Sequence, residues 1–423
     1  ISRTAGFLRE AVGFEQLGQG LGEEVIREII DEVRRDCPRR SPDGAPYFGA
    51  SLAAGLISRT FALDGPYMSF NAACASSSRA LVQAMRALQL GNVDMAMVGG
   101  ASYFHSDTLV LFAQSHSLSP TGSHPFSAGA DGMIVGEGYA VLVLKMLSRA
   151  IADGNRVLAV IPSVGLSSDG RGKSLWAPRQ EGQIEAIGRA YGDEVAIDRL
   201  EYIEAHATST SLGDVTEVAS LTKVLDGRLP PGKKIAAGSA KLNVGHTLEV
   251  AGLVGVLKTI LALNHDVIPP AIDDRPLNPQ IDWENAPIYV PRTEVPWPRH
   301  ADGTPRRAGV NAFGIGGLNV HVVVDDFVGS RPATSRAASL PPASVATEKG
   351  SKAEGNGRED SKPAAVTEIN EDGAVAIIGR GAVMPGALTL EAFWELLTSG
   401  RDPKIDSPEG RWNPKDFLQP ETE

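Results

Sequence analysis

Three times in this sequence an apolar, strand-like run breaks into a turn of small and polar residues and reopens as a helical pattern. Gly65-Pro-Tyr-Met-Ser-Phe70 leads through Asn71-Ala-Ala-Cys-Ala-Ser-Ser-Ser78 into a helical stretch from about Cys74 to Leu90. Leu200–Ala205 leads through Glu204-Ala-His-Ala-Thr-Ser-Thr210 into a helix over Asp214–Leu225. Lys234–Ser239 leads through Lys241-Leu-Asn-Val-Gly-His-Thr247 into a helix over Leu248–Asn264. Further short apolar runs, at Asp94–Gly100, Gly138–Lys145, Val157–Val164, Gly309–Phe313 and Asn319–Asp325, have the continuous apolar character of strands covered on both faces. Strands alternating with helices predict a layered α/β fold. Nearer the start, Leu21, Val25, Ile29 and Val33 share one face of a helix expected over Glu10–Arg35. A strand at Tyr47–Ala50 and a helix at Ser51–Leu63 follow.

The composition suits such a core: 42% of the 423 residues are hydrophobic and 46 are glycine. A formal charge of −11 argues against a broad nucleic-acid surface, which would need a basic stripe. The two cysteines, Cys37 and Cys74, offer no disulfide framework, so a reducing, cytoplasmic setting is expected. There is no apolar run of about 18 residues that would predict a membrane span, and no signal peptide. The chain opens on Ile1 inside sequence that already reads as folded, and is expected to be a fragment.

From Gly329 to about Asp372 the chain turns to Ala, Ser, Pro, Lys, Glu and Gly without aromatics, the composition of a flexible linker. Order resumes with a strand and glycine turn at Ala374–Gly386 and a helix at Leu390–Thr398 carrying Phe393 and Trp394. Gly379-Arg-Gly381 invites a dinucleotide reading. The third glycine of that fingerprint would fall at Met384, and no βαβ unit follows, so the reading is set aside.

Cys74 alone reads as a small buried hydrophobe. At a helix start, however, it faces unpaired backbone N–H groups and the positive end of the helix dipole, which favour thiolate. Among the eight histidines only His206 and His246 occupy small-residue turns after strands. Either one alone is a satisfied turn histidine; both, together with Cys74 at three strand ends, point to chemistry. The others (His105, His116, His124, His265, His300, His321) read as structural.

Ala73-Cys-Ala-Ser-Ser77, Glu204 to Asp214, Lys241 to Thr247 and Phe313-Gly-Ile-Gly-Gly-Leu-Asn319, with Pro125 to Gly132 and Gly136-Glu-Gly138, resemble the ordered motif set of the β-ketoacyl synthases. These are the condensing enzymes of fatty acid and polyketide assembly. Ser167 to Arg171 and Ala177 to Gly182 look most like polyunsaturated fatty acid synthases and related iterative type I systems. The resemblance implies the thiolase fold, with two similar halves in five α-β-α-β-α layers, the first half incomplete here, and usually a homodimer. It implies that Cys74 takes an acyl chain, a task suited to a thiolate. His206 and His246 would stabilise the enolate left when a malonyl-type extender on an acyl carrier protein loses carbon dioxide. Backbone N–H groups of Cys74 and Ile315 would form an oxyanion hole. Lys241, Asp214 and Glu217 would support the histidine loops, and Phe313 and Ile315 would gate the acyl channel. No metal and no bound cofactor are implied; the substrates ride on the carrier's phosphopantetheine.

The sequence departs from the family pattern at Asn71, Ala72, Ala207, Ser211, Leu248, Ile315 and Leu318, none of them a catalytic side chain. A non-elongating partner of the chain-length-factor type is the alternative, though such partners usually lack the cysteine. A degradative thiolase would need a second cysteine in the loop that reads Gly314-Ile-Gly-Gly317. The expected organisation is a ketosynthase domain over 1–328, a linker over 329–372, and the beginning of a second ketosynthase or chain-length-factor-like domain over 373–423. For the tail, a segment left loose on its linker is the favoured expectation. Docking of Val375–Ile378 onto an open edge of the first sheet is the alternative.

Overall fold

A computed structural model describes residues 50–103, 106–172, 174, 176–193, 195–271, 275–329 and 373–403. The chain divides into one unit ending at Ser69 and a second beginning at Phe70. In the first, helix α1 (Ala50–Thr60) stands where a helix is expected. Residues 65–70 form no strand, contrary to expectation, and have no strand partner among the described residues. The helix expected over Glu10–Arg35, nearly all of the strand at Tyr47–Ala50, the linker from 330 to 372 and the chain beyond 403 lie outside the described residues.

The second unit runs α2 (Ser76–Gln89), β1 (Met95–Ser102), α3 (Ser106–Gln114), β2 (Gly138–Met146), α4 (Leu147–Ala152), β3 (Ala159–Ile161) and β4 (Val164–Ser168). It continues with α5 (Gln180–Ala190), β5 (Leu200–Glu204), α6 (Ser211–Leu225), β6 (Ile235–Gly238), α7 (Lys241–Val244) and α8 (Ala251–His265). After these come β7 (Val267–Ile268), β8 (Ile288–Tyr289), β9 (Val295–Pro296), β10 (Arg307–Phe313), β11 (Leu318–Asp325), β12 (Val375–Val383) and α9 (Leu390–Thr398). The run expected as one strand over Val157–Val164 is thus two strands, β3 and β4, which pair with different stretches of β11.

Hydrogen bonds link the strands along the path β1-β2-β12-β3-β11-β10-β5-β6-β8. Strands β10, β5, β6 and β8 are parallel neighbours, as helical crossovers require. Leu81, Val82 and Met85 of α2 and Leu253, Val256, Leu257 and Ile260 of α8 fill one inner core with both groups of strands. Ile187 of α5 and Val218 and Leu221 of α6 cover the outer face of the parallel group. Leu147 and Ala150 of α4 cover the outer face around β3 and β12. The layers are therefore α-β-α-β-α. Helix α8 is buried from Ala251 to Leu263, and with apolar residues on all its sides it belongs inside, Lys258 and Thr259 being its polar members there. Leu248–His265 has the length and composition to cross a membrane, but it is this core segment.

The tail is not loose. Strand β12 lies between β2 and β3, antiparallel to both, with Val375 opposite Met146 on one side and Ile161 on the other. Val375, Ala376 and Ile377 are fully buried. Burying a Val or Ile side chain stabilises by about 1.5–3 kcal/mol, and α9 adds Phe393, Leu396 and Leu397 to the core. Trp394 stacks flat on His265 of α8, with ring centroids 4.2 Å apart. These contacts outweigh the freedom of an unattached segment, which corrects the favoured expectation. The expected glycine turn lies at the end of the run, where Gly386 takes φ +69° between the paired Met384 and Ala387. Gly379-Arg-Gly381 continues the strand after a register shift between Ile377 and Gly379, where a bulge tolerates glycine.

Candidate active site

Cys74 sits just ahead of α2, two residues before Ser76. The turn is tight: Ala73 takes φ +48°, a conformation uncommon for a residue with a Cβ. Ser76 closes it, its hydroxyl accepting from the Ala72 N–H at 2.8 Å and donating to the Ala73 carbonyl at 2.7 Å. Gly314 packs against the same turn, where a Cβ would stand 2.6 Å from the Ala72 oxygen. That close approach brings the Ile315 backbone N–H onto the Cys74 sulfur, alongside the Cys74 N–H itself.

His246 follows α7, whose last turn ends at Gly245 with φ +71°. Its own backbone bridges to the Ile134–Gly136 segment: the His246 N–H donates to the Ile134 carbonyl at 2.6 Å and the Gly136 N–H to the His246 carbonyl at 2.9 Å. Gly136 has no room for a side chain, since a Cβ would meet the Val244 oxygen at 2.3 Å. The ring's Nδ1 accepts from the Leu248 N–H at 3.2 Å, so the proton resides on Nε2. Nε2 is 3.1 Å from the Cys74 sulfur. His246 is therefore a hydrogen-bond donor aimed at the nucleophile, with its other nitrogen already engaged.

His206 follows β5, and its ring lies edge-on to that of His246 with centroids 5.5 Å apart. Its loop hangs on Glu217 of α6, whose two carboxylate oxygens accept the N–H groups of His206 at 2.8 Å and Ala207 at 2.7 Å. Ligand atoms of Cys74, His206 and His246 all lie within 4.8 Å of one another. Burial, with the Lys241 charge adding to it, holds both imidazoles well below their usual pKa, so both rings are neutral. Sulfur and two nitrogens are a set that a soft metal ion could use. The positive charge of Lys241, felt at all three residues, opposes a resident cation.

The thiol corrects one expectation. Burial pushes Cys74 up to about 11, against the downward pull of Lys241 and of the Ile315 and Cys74 amides. Removal from water outweighs the helix start here.

Lys241 is buried at the start of α7, and burial lowers its pKa against the charges of Glu204, Glu217, Cys74 and Asp214. Asp214 accepts from the Phe126 N–H at 2.8 Å. Burial, with Glu217 nearby, pushes it up to about 7. Phe313 stands 5.7 Å from the His206 ring, centroid to centroid. Ile315 packs on a separate cluster of Phe112, Met133 and Leu248. The structure thus brings Cys74, His206 and His246 together, with Lys241, Asp214 and Glu217 buried beside them, Phe313 against His206 and the Ile315 backbone at Cys74. It also adds residues that the sequence did not mark. Asn311 of β10 donates to Glu217 at 2.8 Å and accepts at 2.6 Å from His321, whose other nitrogen meets the Tyr191 hydroxyl at 2.9 Å. Ser123 donates to the Lys241 carbonyl at 2.9 Å.

The β-ketoacyl synthase N-terminal domain matches residues 23–150 and 372–423, and its C-terminal domain matches 158–273. The ketoacyl-synthetase C-terminal extension matches 277–365. The chain belongs to the β-ketoacyl synthase family. Erythronolide synthase EryA2 of Saccharopolyspora erythraea is 40% identical over 282 residues, 66% of this chain and 8% of that protein. The partially reducing polyketide synthase men1 of Menisporopsis theobromae is 39% identical over 295 residues, 67% of this chain and 11% of that one. This chain therefore spans a small part of the length of these multidomain relatives. Among solved structures, the ketosynthase from module 6 of the bacillaene synthase of Bacillus subtilis 168 is 34% identical with a TM-score of 0.63, over 66% of this chain and 50% of that one. The oxazolomycin ketosynthase domain OzmH KS7 of Streptomyces albus JA3453 is 32% identical with a TM-score of 0.65, over 74% and 54%. The fold is thus the thiolase fold of the ketosynthases.

The split match of the N-terminal domain accords with the sheet. The part matched from residue 372 contains β12, which stands between strands β2 and β3 that precede it in the chain by more than two hundred residues.

Proposed function

We propose that this ketosynthase condenses a Cys74-bound acyl chain with a malonyl-type extender carried on the phosphopantetheine of an acyl carrier protein. The observation that supports this reading is the neutral His246 whose Nε2–H points at the Cys74 sulfur while Nδ1 is held by Leu248. A ring so held donates to a developing oxyanion; it is not poised as a base.

In the first step the Cys74 sulfur attacks the acyl thioester carbonyl. The carbon–sulfur bond to the carrier breaks, and the proton lost from Cys74 leaves with the carrier thiol. The Cys74 and Ile315 amides stabilise the tetrahedral oxyanion. In the second step the extender's carboxylate leaves as carbon dioxide. His206 and His246 donate to the thioester oxygen that gains the charge, and the resulting carbanion attacks the Cys74 thioester. The Cys74 thiolate departs and takes up one proton. Lys241 draws the thiol toward its anion, while Asp214 and Glu217 hold the loops that carry the histidines. Ile315 and Phe313 line the way by which the acyl chain enters.

The partners proposed are an acyl carrier protein, neighbouring synthase domains and a second ketosynthase copy in a homodimer, in the cytoplasm. The proposed organisation is a ketosynthase domain over 1–328, a linker over 329–372 and the beginning of a second ketosynthase or chain-length-factor-like domain over 373–423, a reading supported by the second match to the N-terminal domain. A non-elongating acyl-binding role is not favoured, because a nucleophile and two sets of oxyanion donors are assembled at one point. Incubation with a radiolabelled acyl thioester tests the reading: stable label on Cys74 is expected, and its absence in the folded chain would refute the acyl-enzyme.

A further inference from the structure

Lys258 is the one charged side chain in the buried stretch of α8, Ala251 to Leu263, and is only 3% exposed. Its ammonium is 2.9 Å from Oε2 of Glu204, equally buried, the last residue of β5 and two before His206. The Tyr202 hydroxyl donates to the same oxygen. The other carboxylate oxygen accepts the Ala240 N–H at 2.6 Å, immediately before Lys241. Two glycines leave the space this group occupies. A Cβ on Gly238 would stand 3.1 Å from the Tyr202 hydroxyl and 3.2 Å from the Lys258 nitrogen, and one on Gly255 3.0 Å from the Glu204 side chain.

We propose that Glu204, held in an ion pair with Lys258, is a positioning residue that fixes Lys241 and its charge beside Cys74. A buried ion pair gives no net stability over well-packed apolar residues, so the fold alone does not account for one inside α8. Its geometry does. One carboxylate grips the strand that carries His206 and the backbone from which Lys241 rises, and so sets the spacing of the two loops. Its negative charge is also the largest one favouring protonated Lys241, ahead of Glu217, Cys74 and Asp214, while His206 and His246 face it uncharged. Lys241 in turn is the largest influence favouring the Cys74 thiolate, and Glu249 opposes it.

The inference rests on the condensing reading only for its consequence; its test needs no acyl substrate. In the full chain, the rate of Cys74 alkylation by iodoacetamide is followed against pH by mass spectrometry, with thermal melting alongside. The variants are Glu204→Gln and the double variant Glu204→Gln/Lys258→Met, which keeps the buried charge balanced. The double variant is expected to melt near the unmodified chain while its alkylation midpoint rises by about one pH unit, roughly a tenfold slower reaction below the midpoint. An unchanged midpoint in the double variant overturns the proposal. So does failure of both variants to fold, since the pair would then serve the fold itself.

Discussion

Two regions of this ketosynthase are held in opposite ways. Around Cys74, His206 and His246 the backbone is pinned by single polar contacts, most of them buried: Glu217 under the His206 loop, Ile134 and Gly136 against His246, Ser76 within the nucleophile turn. Around β12 the seat is apolar and general, two neighbouring strands and a greasy inner face. The first region fixes atoms to within the tolerance of a reaction. The second secures a segment by area, and many apolar sequences of the right period would satisfy it. Rigidity at a site comes from satisfied buried polar groups, and cohesion of the sheet from burial.

The contrast can be broken at its strongest point first. Cys74→Ala is expected to abolish acyl labelling and condensation. His206→Ala and His246→Ala should each slow extender decarboxylation by about 10²–10³, with Cys74 still accepting an acyl group through the backbone donors. Assaying the two half-reactions separately checks this. Intact decarboxylation with lost acylation in either histidine variant would reverse the assignment.

At the other region, Ile377→Ala is expected to lower unfolding stability by about 2–5 kcal/mol while leaving the ratio of the half-reactions unchanged. Chemical denaturation of the full chain measures the first and the assays above the second. A changed ratio would show that the β12 seat also tunes the site.

The smallest effect concerns pH. Asp214 has a folded-state pKa of about 7, above the 3.8 of an unperturbed aspartate. Its contribution to stability is therefore complete below about pH 4 and lost as pH rises through 7. Asp214→Asn should flatten the melting temperature across about pH 4–7, and a slope equal to that of the unmodified chain would count against the assignment.

The site was largely legible in the sequence because its residue types are unusual in their settings: a cysteine and two histidines in small-residue turns at strand ends. The acidity of Cys74 was not legible. Proximity to a helix start can be read from letters, whereas desolvation depends on what the fold packs around the sulfur. Nor was the link between Glu204 and Lys258, which belong to separate elements and meet only in the core. The strand character of Val375–Ile378 was plain, but its partners were not, because a short apolar run carries no information about which neighbours will hydrogen-bond to it. Gly65–Phe70 shows the same limit reversed: strand-like residues form no strand, having no strand partner among the described residues.

The interior place of β12 has a consequence for the order in which the molecule can be made. Strands β2 and β3 leave the ribosome long before the segment that will join them. Until residue 383 has emerged, β2 and β3 lack the strand that this sheet places between them. Closing that gap means retrieving a partner from across the whole catalytic half, a distant contact of the kind that slows folding. Synthesis must therefore run past β12 before this pairing can be completed. How well chaperones shield unpaired strand edges in that interval should affect how much of the chain reaches this sheet.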